Sequence, residues 1–295
     1  MGCATQVMMS WSILFAQRNY SFGGLYMAVQ IQILAVSEMA IPPSAVYNNV
    51  GTHGPMLETI EEKTQVTWSD GTVSEGVKHC GCAFYIDDNG TKILVDSGVG
   101  DFDRIHRIRK ERGDRYYLKA LEPLEDQLKK LGVQPNDIDI VVNTHLHWDH
   151  IGGNQLFPNA QLMIPADDLP YFLSAPVWAP HFYPGIRECV TQMARIKPIN
   201  GKGTISKHVH FLQLGGHTPG SLAVFIETAS SVIALAGDIV PKYENWEHNW
   251  LGPGGNIWNL GELAKAYDTL HMRADTVIPA HDWKVFSHYP GGVII

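Results

Sequence analysis

One short stretch of this 295-residue chain concentrates groups that bind metal ions: Thr144-His145-Leu146-His147-Trp148-Asp149-His150-Ile151-Gly152-Gly153. Three imidazoles and a carboxylate fall within the six residues from His145 to His150. Imidazole nitrogen and carboxylate oxygen suit zinc, and equally iron, cobalt or manganese. The chain has fourteen histidines, so an isolated one most simply fills a surface or hydrogen-bonded core position. The H-x-H-x-D-H spacing is different, because an extended segment turns positions 145, 147 and 149 to one side. A turn at a helix start then swings His150 round toward a second ion. The paired glycines permit the tight backbone that follows.

Further metal-ligand types arrive in order along the chain. His217 lies in Gly215-Gly216-His217-Thr218-Pro219-Gly220-Ser221, Asp238 ends Ala236-Gly237-Asp238, and His281 lies in Pro279-Ala280-His281-Asp282. With these motifs in sequence, the chain resembles the metallo-β-lactamase superfamily over most of its length after Met27. The resemblance implies that His145, His147 and His217 bind one metal and that Asp149, His150 and His281 bind the other, with Asp238 bridging. It implies an α/β fold, the αββα four-layer sandwich, in which two mixed β-sheets are flanked by helices and the site lies at one edge between the sheets. Two divalent ions, zinc before iron, cobalt or manganese, would hold and deprotonate a bridging water that attacks a carbonyl or phosphoryl centre. Asp149 would then protonate the leaving oxygen. Asp96 and Asp282 are candidates for orienting the far ring nitrogens.

Single residues separate the branches of that superfamily. Oxygen-reducing diiron members tend to carry Glu where His147 stands, and the commonest zinc β-lactamases carry Cys where Asp238 stands. Thioesterases of the glyoxalase II kind add a C-terminal helical region, whereas fourteen residues follow His281. No basic arm of the RNase Z type is evident. The spacings of 67, 21 and 43 residues from His150 to His217, Asp238 and His281 look most like the N-acyl homoserine lactonases. In that branch a tyrosine three residues after the bridging aspartate helps polarise the lactone carbonyl. Pro241 occupies that position here, and Tyr243 is the candidate substitute. The expected reaction is therefore opening of an N-acyl homoserine lactone or a related lactone or ester. Hydrolysis of a phosphodiester, thioester or cyclic amide is the alternative. A non-catalytic binding member of the fold would show lost ligands, and all seven are present.

The elements that must position these residues follow from periodicity. Ala28 to Ala35 alternates as a half-buried strand. Ala83–Ile86 and Lys92–Val95 flank Asp87-Asp88-Asn89-Gly90, a hairpin signal. Between Pro42-Pro43 and about Asp70, turn formers predict an irregular surface excursion. Residues 104–115 carry six Arg or Lys, which reads as a solvated helix face, with an anion-binding lid as the alternative. Tyr117, Leu121, Leu124, Leu128 and Leu131 predict one helical stripe ended by Gly132. Further strands are predicted at Ile138–Val142, Ala160–Ile164, Leu222–Glu227 and Val232–Ala236, with a last one before Pro279. A helix is predicted over Leu260–Leu270 with Asn259 as its N-cap. Two aromatic stretches are candidate pocket walls, or equally loops anchored by their aromatic residues to the core or to a partner subunit: Tyr171-Phe172 through Trp178, His181, Phe182 and Tyr183, and Trp246, Trp250 and Trp258.

Composition bounds the remaining questions. A formal charge of −8 argues against a polyanionic partner, so a small-molecule substrate is expected rather than nucleic acid. Cys3, Cys80, Cys82 and Cys189 form no CxxC pair, which suits reduced thiols and a cytoplasmic setting. Cys80 and Cys82 should share a strand face, and a metal role for them is the minor reading. Val7–Ala16 is apolar but too short to span a bilayer, and no basic residue precedes it. Residues 1–26 are read as an N-terminal extension, with an export signal as the alternative, and 27–295 as the hydrolase domain.

Overall fold

The computed structural model describes residues 29–46, 62–174, 193–252 and 257–295. Trp178, His181, Phe182 and Tyr183, like Cys3, Cys189 and the extension 1–26, lie outside the described residues. Thirteen strands form two sheets among those described. The first sheet holds β1 (Gln30–Ile41), β2 (Lys63–Thr67), β3 (Val73–Asp88), β4 (Thr91–Val95), β5 (Tyr117–Ala120), β6 (Ile140–Val142), β7 (Gln161–Pro165) and β8 (Ile196–Ile199). Its order is β5-β1-β3-β4-β6-β7-β8, with β2 also on β3. The second holds β9 (Lys202–Thr204), β10 (Val209–Gln213), β11 (Leu222–Glu227), β12 (Val232–Leu235) and β13 (Thr276–Ile278), in the order β13-β12-β11-β10-β9. Both sheets mix parallel and antiparallel pairs.

Period-two alternation decides the layering. In β3, Cys82, Phe84 and Ile86 face the second sheet, where they pack with Ile31, Ile33, Val224 and Ile226. The intervening Ala83 and Tyr85 face outward, under Leu124, Leu128 and Phe172. In β11 the same alternation sends Ala223 and Phe225 outward to Leu263, Ala266 and Leu270 of the helix Leu260–Arg273. Three apolar layers therefore separate four layers of elements, which is the αββα sandwich. Burying each large apolar side chain stabilises it by roughly 1.5–3 kcal/mol. No helix among the described residues is long and apolar enough to cross a membrane.

Several expected elements are present: the hairpin at Asp88 to Thr91, the strand Leu222–Glu227, and the Leu260 helix, whose N-cap Asn259 accepts from Glu262 N. The Tyr117–Leu131 stripe is not one helix. Tyr117–Ala120 is a strand paired with Ser37–Ala40 of β1, and helix α2 (Leu124–Lys130) begins only after Pro123. Proline cannot donate the backbone hydrogen bond a helix interior needs, so it sits at the helix entrance and splits the pattern. The excursion before Asp70 is not irregular throughout either, since Lys63–Thr67 pairs with Val73–Val77 as an added strand. The basic stretch forms helix α1 (Phe102–Arg112), capped by Asp101 and stopped by Gly113 at φ 71°.

Candidate metal centre

The site forms where chain leaves the ends of both sheets. After β6 the chain bends at Thr144 and His145 and enters the four-residue helix α3 (Trp148–Ile151) from an extended His147. This turn lets Asp149 and His150 join His281 in a second group while the His150 ring stays 4.1 Å from that of His145. It requires close backbone packing, because a Cβ on Gly152 would collide with the Val99 carbonyl and one on Gly153 with that of Ser97. The second sheet supplies His217 from the β10–β11 loop, Asp238 after β12 and His281 after β13.

Two groups of ligand atoms result: His145, His147, His217 and Asp238, and Asp149, His150 and His281, with the atoms of each group within 4.8 Å of one another. Ring nitrogens converge: His145 Nε2 is 2.7 Å and His217 Nε2 3.0 Å from His147 Nδ1, and His281 Nε2 is 3.3 Å from His150 Nε2. Asp238 divides its carboxylate between the groups. Its Oδ2 is 3.2 Å from His217 Nε2, while Oδ1 is 2.8 Å from His281 Nε2 and 3.1 Å from His150 Nε2. Despite these distances, Oδ1 has no hydrogen-bond partner of good geometry. The atoms are aimed at common centres rather than at each other, the arrangement a bridged pair of cations would satisfy. Asp149 Oδ2 stands 3.8 Å from both His150 Nε2 and His281 Nε2.

The opposite nitrogens are anchored, which fixes which atom each ring offers. His281 Nδ1 donates to the Cys80 carbonyl at 2.7 Å, leaving Nε2 for the centre. His150 Nδ1 donates to Asp96 Oδ2 at 2.8 Å. Thr144 Oγ1 donates to the same oxygen and so accepts from His145 Nδ1 at 3.1 Å. Asp96 itself is buried with φ 59°, a left-handed conformation that costs a non-glycine residue about 1–3 kcal/mol. Asp96 thus orients a ligand as expected. Asp282 does not: it accepts from the backbone of Tyr243 and Lys284 at 2.8 and 2.9 Å.

Electrostatics follow from burial and crowding. Burial pushes the His145 ring well below its usual range, reinforced by His150 and His147, and takes His217 down to about 4. Burial opposes charge on His281 too, but the negative charge of the adjoining Asp238 raises it to about 9. Burial likewise disfavours the Asp238 carboxylate, yet His281, His150, His217 and His145 hold it well below the carboxylate range. Four imidazoles thus favour negative charge at Asp238, which suits a cation ligand.

A cavity of about 300 Å³ opens over both groups. His147, Asp149, Asp238 and His281 form its floor, and Met39, Ile41, Trp68, Tyr116, Tyr117, Trp148, His79, Pro241 and Lys242 are among its walls. Such a size and an aromatic lining suit a small organic ligand. Pro241 does reach the cavity. Tyr243 does not line it: its ring packs in the inter-sheet core 4.5 Å from that of His288, and its hydroxyl is buried without a partner. The expected aromatic walls also differ. Trp246 stacks on His271 at 3.9 Å and Tyr171 meets Trp258 at 5.0 Å, away from the cavity. Phe172 does not line the cavity either; it is buried and makes an edge-to-face contact with His147 at 5.4 Å. The actual walls, Tyr116, Tyr117 and Trp68, carry no motif in the sequence, whereas Trp148 sits inside one. Arg109 joins them, its guanidinium over the Tyr116 and Trp148 rings at 5.0 and 4.9 Å, so one residue of the basic helix turns inward. Cys80 and Cys82 share a face as expected, Sγ to Sγ 3.1 Å, in the core and outside both ligand groups.

The family model described as "Metallo-beta-lactamase superfamily" matches residues 81–281. The N-acyl homoserine lactonase AiiA of Bacillus thuringiensis subsp. kurstaki is 31% identical over 121 residues, 41% of this chain and 46% of that one. The chain thus spans about half the length of the curated relatives it matches. A solved N-acyl homoserine lactone hydrolase, with the product N-hexanoyl-L-homoserine at its catalytic metal centre, superposes with a TM-score of 0.68 at 18% identity, covering 88% of this chain and 96% of that one. AidC, a dizinc quorum-quenching lactonase, gives 0.65 at 18% identity over 90% and 89%.

Proposed function

We propose that this chain, which belongs to the metallo-beta-lactamase superfamily, opens lactone rings by dinuclear-metal hydrolysis, with N-acyl homoserine lactones as the leading substrate class. The observation that carries the reading is the divided carboxylate of Asp238, which faces one ligand group with each oxygen on the floor of an aromatic-lined cavity. The names of its relatives supply the bond to be cut. His145, His147 and His217 would hold one divalent ion and His150, His281 and Asp149 the other, with zinc the leading candidate. Such a pair supplies a strong oxygen nucleophile at neutral pH and Lewis acidity toward a carbonyl.

The chain's own residues do the rest. The buried partners Asp96, Thr144 and Cys80 O keep the imidazoles in the tautomers that point inward. The apolar walls exclude water around the acyl part of a substrate. Addition of a water-derived hydroxide to the lactone carbonyl gives a tetrahedral adduct whose collapse breaks the ring C–O bond, and the departing alkoxide needs the proton that the water gave up. Asp149, on the cavity floor, is placed to hand one over. Pro241 offers no donor to the carbonyl, and Tyr243 is turned into the core, so polarisation by a side chain falls to another cavity group. His79 is well placed, its ring 5.4 Å from that of His281.

The test is proton release by zinc-loaded protein over a lactone panel, N-acyl homoserine lactones included, with and without chelator. Chelator-sensitive acid release is expected. Protein shown to hold two metals that releases no acid from any lactone overturns the reading.

A further inference from the structure

Asp168 opens the short helix α4 (Asp168–Leu173), is wholly buried, and accepts three hydrogen bonds. Its Oδ2 accepts from Leu146 N at 3.1 Å and from Thr218 Oγ1 at 2.9 Å, and its Oδ1 from Gly220 N at 2.6 Å. Leu146 is the residue between His145 and His147, and Thr218 follows His217. One carboxylate therefore pins the two loops that carry all three histidines of the first group. Gly220 is needed for this approach, since a Cβ there would stand 2.9 Å from Asp168 Oδ1. The same helix delivers Phe172 to the edge of the His147 ring. None of these contacts reaches Asp149, His150 or His281; His150 is held by Asp96, which also reaches His145 through Thr144, and His281 by the Cys80 carbonyl.

We propose that Asp168 is a positioning residue for the first metal and not for the second. The inference rests on the two-metal reading above. It follows from geometry: an acceptor on both sides is needed to draw three donors from two loops to one point. Asparagine at 168 keeps the shape but turns an N–H₂ toward one set of donors, leaving them unpaired in the interior. Removal of such outer partners typically lowers metal affinity by about 10- to 100-fold.

The experiment uses full-length protein stripped of metal and titrated with Co²⁺, followed by calorimetry and visible absorption. His281→Ala leaves only the first group complete, and His217→Ala leaves only the second. Adding Asp168→Asn should weaken Co²⁺ binding about 10- to 100-fold in the His281→Ala background. In the His217→Ala background it should change affinity less than twofold, which also shows that the variant folds. Thr218→Val, which removes one donor, should act in the same direction and less strongly. Equal losses in both backgrounds would assign Asp168 a general structural role, and no loss in either would remove it from the site. Either result overturns the proposal. Wild-type protein that binds fewer than two Co²⁺ overturns the two-metal reading and this inference with it.

Discussion

His281 Nδ1 lies 2.7 Å from the main-chain oxygen of Cys80, joining the loop after the second sheet's edge strand to the long strand of the first sheet. The acceptor is a carbonyl, so this nitrogen must carry the proton and Nε2 must be the metal-facing atom. Asparagine places its amide nitrogen near the position of Nδ1, and glutamine near that of Nε2. Both variants should lose the second metal. His281→Asn should retain the Cys80 bond and be the more stable by about 1 kcal/mol. Urea midpoints of the two metal-free variants check this; a more stable His281→Gln would show that the hydrogen bond does not hold the loop.

Asp238 faces both ligand groups, whereas His217 belongs to one. Asp238→Ala should bring metal content toward zero per chain, and His217→Ala toward one. Atomic emission on dialysed protein reads both values. A full complement in either variant would overturn the ligand assignment.

Tyr243→Phe should leave lactone kcat and KM within twofold of wild type. It should not destabilise the protein, because it removes a buried hydroxyl that has no partner. His79→Ala, in the cavity, should lower kcat/KM about tenfold, the value of one net hydrogen bond of roughly 1.4 kcal/mol. Parallel kinetics decide between them, and the reverse pattern would restore Tyr243 to the site.

Acid should weaken the fold through Asp88. Burial disfavours its charge, but Ser206 Oγ, His208 N, His208 Nδ1 and Asn89 Nδ2 all donate to it, holding it at about 2. The unfolded chain takes up this proton near its ordinary value of about 3.9, before the folded chain does. The contribution is therefore complete above that value and is lost as pH falls from about 4 to about 2. Asp88→Asn should flatten that part of the stability profile. Urea midpoints at intervals across this range test it, and a constant offset between the variants would exclude Asp88 as the source.

What could be read ahead of the structure was whatever lay within one local pattern. The six residues from His145 to His150 carry their own spacing, and β11 shows its alternation in six residues, so both appear as expected. Tyr117–Leu131 misled because a strand pairing with β1, more than seventy residues upstream, outweighs a local helical period that Pro123 had already broken. Tyr243 misled because nearness in sequence to Asp238 says nothing of direction: it opens the helix Tyr243–His248 with its ring in the inter-sheet core. Asp168 carried no signal, since its three donors come from residues 22, 50 and 52 positions away.

The ligands come from both sheets, the first four from the chain leaving β6 and the rest from the ends of β10, β12 and β13. Ions held there would act as cross-links, closing loops of dozens of residues in a chain whose two sheets are otherwise joined by side-chain packing and by hydrogen bonds such as His281 to Cys80. Site binding energy is then also cohesion energy. A chelator becomes a tool for prising the sandwich apart, and the protein's resistance to proteolysis at the sheet junction becomes a gauge of how full the centre is.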